Sequence, residues 1–183
     1  TEVNTMKNRH CGFTLLELLI STAILCILLA LAGSCFAAVR AYCIAEETRA
    51  ALYNGFFTAK TQALVTGTQI VVCPSNDGAS CMQAAVWQHG WLIFQDLNQN
   101  REIEASDRLL FRQPALSRGI TLTSNQGRPR LVFQPNGSNG GTNATFLLCD
   151  GRGPAKAKSL IISNTARIRT VPADPKMAEQ SCI

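Results

Sequence analysis

The first part of the chain changes its hydrophobic pattern once, close to Val39. From Phe13 to Val39 apolar residues run all the way round a helical projection, and Glu17 is the one charged residue among these 27 positions. A helix of this length can cross a bilayer core, which needs about 20 apolar residues. The pattern therefore predicts that residues 13–39 form the transmembrane half of a long helix.

After Arg40 the sequence keeps helical spacing but becomes amphipathic. The pattern stops at Gly67, a residue suited to a helix C terminus. We predict one helix from Phe13 to about Thr66, with residues 40–66 as its amphipathic half. The apolar stripe of that half, which is expected to face the core, consists of Ala45, Leu52, Phe56, Ala59 and Ala63.

Beyond Gly67 short β-rich runs alternate with turn sequences such as Asn76-Asp77-Gly78 and Pro135-Asn136-Gly137. No crossover helices separate the runs, so the sequence predicts an α+β fold. In this fold an antiparallel β-sheet head, residues 67–183, packs on the second half of the helix. The predicted strands are Gln69–Cys73, Trp87–Gln95, Arg108–Arg112, Ile120–Ser124, Arg130–Gln134, Thr145–Asp150, Ser159–Ser163 and Ile168–Val171.

Three aromatic residues of the second predicted strand have two possible roles. Trp87, Trp91 and Phe94 could form a platform on which nucleobases stack. The strand is, however, apolar on both faces around Trp91, as expected for a strand buried on both sides. We therefore favour a place in the hydrophobic core.

Glu17 is the exception within the apolar run, and a carboxylate in such a position usually has a partner. A short basic segment ending in Gly12 lies immediately upstream. Cleavage after Gly12 would give Phe13 a new α-amino group, a cation that could pair with Glu17. Because Glu17 of the same chain lies one turn away on a rigid helix, a neighbouring subunit's Glu17 is the expected mate.

The run from Gly12 to Glu17, GFTLLE, resembles the prepilin signature of type IV pilins and type II secretion pseudopilins. The resemblance implies that a prepilin peptidase cuts between Gly12 and Phe13, that Phe13 is N-methylated, and that Glu17 guides filament assembly. Residues 1–12 would form the prepilin leader region; residues 1–5 precede Met6, and a leader that begins at Met6 and ends at Gly12 would be seven residues long. The alternative is a simple anchor or an uncleaved signal peptide, although a secretory signal has a shorter apolar segment.

The head sequence resembles the GspH/FimT branch of minor pilins and pseudopilins. The runs GWLIFQDLNQNREIEASDRLL, LVFQPNGS, TFLLCDGRGPAKAKSLIIS and NTARIRT carry this resemblance, which extends from Gly12 to about Thr170. It implies a type IV pilin-like fold, an inner-membrane anchor with a periplasmic head, and other pilins or pseudopilins as filament partners. The implied function is that of a minor pilin of a type IV pilus that enters or primes the filament. The alternative is a GspH-type minor pseudopilin of a type II secretion system without DNA binding.

Positive charge is concentrated in the second half of the head. From Arg108 to Thr170 there are ten basic residues and one acidic residue, Asp150, for a net charge of +9. Residues 1–107 carry six basic and nine acidic residues. If a polyanion binds this protein, it is expected to dock on the second half of the head.

The family resemblance adds a Gly-Arg-x-Arg motif near the last strand, with which some pilus-type members bind DNA during transformation. Arg167 and Arg169 occupy its arginine positions, but Ala166 replaces its glycine. Gly127-Arg128-Pro129-Arg130 fits the motif in an earlier hairpin. The alternative is a solvated basic rim that balances acidic neighbours in a filament. The predicted DNA-binding residues are Arg167, Arg169, Arg152, Lys156, Lys158, Arg128 and Arg130.

Four of the eight cysteines lie in the head, where three disulfide connectivities are possible. We favour Cys73 with Cys81, which closes a short loop, and Cys149 with Cys182, which ties down the C-terminal tail. Such pairing indicates an oxidising compartment such as a periplasm. A zinc site would need paired Cys-x-x-Cys spacing or several histidines, whereas the head has only His89.

The segment from Asp96 to Asp107 echoes a calcium-binding loop, with agreement at loop positions 1, 3, 5, 8 and 12. However, Arg101 stands where the loop requires glycine, Asp107 replaces the bidentate glutamate, and the flanks are predicted strands. We therefore favour a polar hairpin turn and expect neither metal nor cofactor. His89 lacks a nucleophilic serine and an ordered acid, so we do not expect an enzyme.

Overall fold

The computed structural model describes residues 14–125, 127–140 and 143–182, apart from the side chains of residues 31–35. Two compact units meet in sequence between Ala37 and Ala38. Within the described residues, no helix combines the length and hydropathy that a membrane crossing demands. The transmembrane assignment of residues 13–39 stays a prediction.

The long helix, α1 (Leu15–Thr66), ends where the sequence predicted. The predicted first residue, Phe13, lies outside the described residues. Thr14 caps the N terminus, because its Oγ1 accepts a hydrogen bond from the Glu17 backbone N–H at 3.2 Å. Gly67 closes the other end in a left-handed conformation (φ 65°), and its N–H donates to the Ala63 carbonyl oxygen at 3.1 Å.

Among its described residues the head has eight strands, in agreement with the predicted number and approximate positions. They are β1 (Gln69–Pro74), β2 (Trp91–Asp96), β3 (Arg108–Gln113), β4 (Thr121–Ser124), β5 (Leu131–Phe133), β6 (Ala144–Cys149), β7 (Lys158–Ile162) and β8 (Ile168–Pro172). One sheet has the order β3-β2-β1-β5 and the other β4-β6-β7-β8, and all pairings are antiparallel. The predicted α+β class, with antiparallel sheets in the head, is confirmed.

The second strand begins later than predicted, at Trp91 rather than Trp87. Gly90 interrupts the run with φ 114°, and a Cβ there would lie 2.4 Å from the Gln113 carbonyl oxygen. Before this turn, Val86 makes an isolated bridge to Thr123 instead of joining β2. The segment before Gly90 therefore contacts the second sheet, while β2 belongs to the first.

A short helix that the sequence analysis did not predict, α2 (Pro175–Ser181), follows β8. Asp174 caps it, because its Oδ1 accepts hydrogen bonds from the backbone N–H groups of Lys176 and Met177 at 3.0 and 3.1 Å. Pro175 suits the first turn, where a backbone N–H has no helical acceptor. A single 3-10 turn at Pro154–Lys156 lies between β6 and β7.

Phe56 joins α1 to both sheets. Its fully buried ring lies 6.4 Å from the ring of Phe133 in β5 and 5.1 Å from that of Phe146 in β6, measured between centroids. Every residue of the predicted apolar stripe is buried. Trp87, Trp91 and Phe94 are also fully buried, which confirms the core interpretation over the stacking platform.

Each sheet also carries a smaller apolar cluster on its other face, and a disulfide contributes to each one. Cys73 pairs with Cys81 in the cluster that includes Leu92 and Phe94. Cys149 pairs with Cys182 in the cluster that includes Leu147 and, from α2, Ala178. Both predicted pairings are confirmed, and the second explains how the C-terminal segment is fixed to the second sheet.

We expect Phe56→Ala to lower the free energy of unfolding by about 3–5 kcal/mol, because it removes a buried ring that both sheets enclose. Urea unfolding followed by circular dichroism measures the change. Phe57→Ala is the matched control, because Phe57 is the next residue of α1 and is 58% exposed. Equal losses from the two substitutions would contradict this account of the core.

Candidate functional site

Glu17 lies in the first turn of α1 and is exposed. A negative charge suits a helix N terminus, and the spacing Thr14-x-x-Glu17 is that of a capping box. Gly12 and Phe13, the predicted cleavage and methylation residues, lie outside the described residues. Large apolar side chains from Leu15 to Leu29 are uncovered, with exposures between 52% and 76%. An exposed apolar surface of this extent is typical of a site that contacts other proteins or a membrane.

The hairpin between β7 and β8 positions Arg167 and Arg169. Ser163 closes the hairpin: its backbone N–H donates to the Arg167 carbonyl oxygen at 3.0 Å, and its carbonyl oxygen accepts from the Ala166 N–H at 2.8 Å. The Arg167 N–H donates to the Ser163 Oγ at 3.2 Å. Arg169 lies in β8 and Arg167 directly precedes this strand, so the two arginines are two residues apart at one end of the hairpin.

Both arginines line one groove of about 680 Å³ on the outer face of the second sheet. Thr145, Ile161 and Arg169 lie side by side across β6, β7 and β8. Both arginine residues are exposed. In the described part of the chain, no carboxylate lies within ion-pair distance of either guanidinium. The groove therefore offers two uncompensated positive charges to an anion.

Ala166 adopts the conformation that the motif glycine would supply. Its φ is 55°, in the left-handed region, and the residue is 6% exposed. An alanine in this region costs about 1–2 kcal/mol, but its methyl group is buried with the core. Although Ala166 departs from the motif, the backbone still makes a left-handed turn immediately before Arg167.

Arg152 and Lys158 belong to a different arrangement, on the helix side of the second sheet. Lys158 forms an ion pair with Glu46 of α1. Arg152 forms two hydrogen bonds with the Asp150 carboxylate, from Nε at 2.9 Å and from NH2 at 2.6 Å. The ring of Tyr42 lies under both cations, with its centroid 5.0 Å from Arg152 Cζ and 5.7 Å from Lys158 Nζ.

The pKa shifts agree with these pairings. The hydrogen bond from Lys158 is the main cause that lowers the pKa of Glu46. Burial of Asp150 opposes its ionisation, but the hydrogen bonds from Arg152 prevail and the pKa of Asp150 is lowered. The same contact with Asp150 raises the pKa of Arg152. All these groups are held in their charged forms, and the two cations are engaged by acids within the head.

The remaining predicted cations lie elsewhere. Arg130 forms an ion pair with Glu102 at 2.5 Å. Arg128 and Arg130 line a separate groove of about 260 Å³ together with Arg101. Lys156 is exposed in the 3-10 turn. The structure thus brings Arg167 and Arg169 together and places the other five predicted residues in other surroundings.

The sequence analysis missed the contact between α1 and the second sheet at Tyr42 and Glu46. Their separation of four residues places them on one helix face. The spacing indicates that Tyr42 and Glu46 share a helix face. It does not identify Lys158 as their partner, because Lys158 is 112 residues from Glu46 in sequence.

Solved structures share this fold. The type IV minor pilin FimU of Pseudomonas aeruginosa aligns with a TM-score of 0.56 and 21% identity, over 79% of this chain and 96% of FimU. The minor pseudopilin EpsH of the Vibrio cholerae type II secretion system aligns with a TM-score of 0.51 and 13% identity, over 71% of this chain and 97% of EpsH. The chain therefore has a pilin-like fold.

Family models carry the identification further. A model described as the prokaryotic N-terminal methylation motif matches residues 7–33. A model described as type II transport protein GspH matches residues 49–166, more than half of the chain. The chain belongs to the GspH family of minor pilins and pseudopilins, whose members assemble with other pilin-type subunits in filaments. No curated protein sequence matches the chain.

We expect Ala166→Gly to change the free energy of unfolding by less than about 1 kcal/mol. Relief of the left-handed strain is offset by the loss of a buried methyl group and by the greater flexibility of unfolded glycine. Ala166→Val should lower stability by about 3 kcal/mol or more, because a branched side chain fits neither the backbone conformation nor the packed site. Thermal unfolding measures both, and a neutral Ala166→Val would contradict the positive φ.

Proposed function

We propose that this chain is a minor pilin of a type IV pilus. In this proposal it is cut between Gly12 and Phe13 and anchored in the bacterial inner membrane by residues 13–39. Its head is periplasmic until the subunit enters or primes the filament. The match of residues 7–33 to the methylation motif supports this processing. The uncovered leucines and isoleucines of the first part of α1 support an environment of lipid, and later of packed helices.

In the proposed assembly step, the Glu17 carboxylate moves from lipid to a contact with a neighbouring subunit. Glu17 is costly to hold in lipid without a partner. Cleavage by prepilin peptidase creates an α-amino group on Phe13, and N-methylation leaves it positively charged. In the filament this ammonium pairs with Glu17 of a neighbouring subunit while apolar helices pack together. The pairing removes the unfavourable exposure of the carboxylate to lipid and thereby favours insertion.

We expect Glu17→Gln to leave the protein in the membrane fraction but to remove it from sheared filaments. Glutamine suits the third position of a capping box as well as glutamate does, so the substitution removes the charge and preserves the helix start. Immunoblots of membranes and sheared filaments measure the distribution. Glu47→Gln, an exposed residue of the same helix, is the control. Normal incorporation of Glu17→Gln would reject the assembly role.

Contact with DNA is the second part of the proposal. The observation that carries it is the pair Arg167 and Arg169, which are exposed, line one groove and have no described acidic partner. Two guanidinium groups that line one groove suit neighbouring phosphates, which are bound without reading the base sequence. Release of counterions from DNA would make the contact strongly dependent on salt.

The second candidate function is a minor pseudopilin of a type II secretion system. The description of the matched family model favours it. In that case the head contacts other pseudopilins, and Arg167 and Arg169 form a solvated rim that faces acidic neighbours.

A gel shift with duplex DNA across a salt series distinguishes the two functions, with the full chain in detergent. We expect a shift at low salt that weakens as salt rises. Arg167→Ala with Arg169→Ala should weaken binding about tenfold and reduce the slope of log K against log salt by about two. Arg108→Ala with Arg112→Ala removes the same charge from exposed positions of β3 and should have a smaller effect. No shift at low salt would reject DNA contact and favour the pseudopilin.

A further inference from the structure

We propose that the connection between β2 and β3 is a calcium-binding loop. The twelve residues from Asp96 to Asp107 place oxygen donors at each ligand position of an EF-hand loop. In order of positions 1, 3, 5, 7, 9 and 12, the donors are the side chains of Asp96, Asn98 and Asn100, the backbone carbonyl of Glu102, and the side chains of Glu104 and Asp107. This assignment reverses the hairpin interpretation that the sequence alone favoured.

The main objection from the sequence was Arg101 at the position of the required glycine. Glycine is needed there for a sharp turn of the backbone. Arg101 nevertheless has φ 65°, in the left-handed region that glycine favours. Its backbone N–H donates to Oδ2 of Asp96 at 2.9 Å. Arg101 thus adopts the turn conformation that glycine would adopt. The same hydrogen bond connects Asp96, the first proposed ligand, to the sixth residue of the loop.

The side chain of Asp96 gives independent support for a cation site. The residue is 1% exposed, at the end of β2. Its Oδ1 has no hydrogen-bond partner within the part of the chain that the structure describes. A buried carboxylate oxygen without a partner is costly, and such groups in native proteins usually have a partner or an ion. A bound cation would satisfy Oδ1 while Oδ2 keeps its contact with Arg101.

The other donors are gathered by the loop itself. The amide nitrogens of Asn98 and Asn100 donate to the two carboxylate oxygens of Glu104 at 3.1 and 2.8 Å. Asp107 accepts backbone N–H bonds from Leu97 and Glu104 at 3.1 and 3.0 Å. Carboxylate oxygens have further lone pairs, so these contacts leave capacity for a cation.

Two further contacts fix the loop on the sheet. Ile103, at loop position 8, packs against the apolar cluster of Val71, Cys73, Leu92 and Phe94. The carboxylate of Glu102 forms an ion pair with Arg130 at 2.5 Å, and the proposed ligand at loop position 7 is the backbone carbonyl of this residue. Residues 102 and 103 therefore fix the centre of the loop on the sheet.

Among the described residues, no three His, Cys, Asp or Glu side chains lie close enough together to hold a metal ion by themselves. Half of the proposed donors are amide or carbonyl oxygens, and Glu104 must leave the two amides to join Asp96 and Asp107. Ca²⁺ accepts such irregular oxygen sites, whereas Mg²⁺ demands near-octahedral geometry and retains its water. Because positions 3 and 5 are uncharged, we expect affinity of about 10⁻⁴–10⁻³ M, as in extracellular modules.

Calcium titration of the full chain in detergent, after removal of divalent ions with EGTA, tests the proposal. We expect heat of binding in calorimetry and a rise in the thermal midpoint of about 4 °C at a Ca²⁺ concentration ten times the dissociation constant. The same concentration of MgCl₂ should give less than half of this rise. A folded protein that shows no calcium-dependent shift at 10 mM CaCl₂ would overturn the proposal.

Asp96→Asn and Asp107→Asn should each abolish the calcium-dependent shift. If Asp96→Asn does not fold in EGTA, Asp107→Asn alone tests the proposal, because Asp107 is less buried than Asp96. Glu179→Gln removes an exposed carboxylate from α2 and should retain the full shift. A shift that survives in Asp107→Asn would also overturn the proposal, since it would place the ion elsewhere.

Discussion

The head depends on the enclosure of one side of α1 by two sheets that share little backbone pairing. The strand-to-strand hydrogen bonds lie within each sheet. The segment around Val86 makes an isolated β-bridge to β4 and two further backbone hydrogen bonds beside it. The two sheets are therefore held together largely by α1, through Phe56 and the small residues of its apolar stripe. Ala59 and Ala63 are fully buried in the same core, and the ring of Phe56 lies near Phe133 of one sheet and Phe146 of the other.

The alternation of side chains along β7 and β8 then divides the basic residues between two faces. Lys158 shares the side of β7 that carries Leu160 and Ile162, which are buried against the helix. There it meets Glu46 and Tyr42 and becomes part of the packing. Arg169 pairs with Ile161, which lies on the opposite side. Two cations close in the sheet thus have different chemical surroundings, because one faces α1 and the other faces solvent.

The sequence predicted the features that depend on local pattern. The end of α1 at Thr66 follows from the stripe and Gly67, and both disulfides follow from loop closure and the position of the tail. The start of β2 was placed four residues too early because Trp87 fits an apolar strand, while the turn at Gly90 depends on its approach to Gln113.

Features that depend on distant contacts were harder to predict. Helix α2 was missed although Asp174-Pro175 is a sound helix start, since the helix has seven residues and is stabilised by packing on Leu147 and Cys149. The ion pair between Glu46 and Lys158 joins residues far apart in sequence, which no local pattern reveals. In the loop after β2, the residue at the glycine position was judged by its type. Arg101 nevertheless adopts the positive φ that glycine favours, because the tertiary structure sets this angle.

The two disulfides differ in when the growing chain can close them. Cys73 and Cys81 are eight residues apart and precede most of the strands, so both thiols emerge together early in synthesis. Cys149 is separated from Cys182 by β7, β8 and α2, and its partner emerges only after the last strand. Oxidation of this second pair therefore marks a head in which all eight described strands are present, and the oxidised tail serves as a chemical record that synthesis of the whole head has been completed.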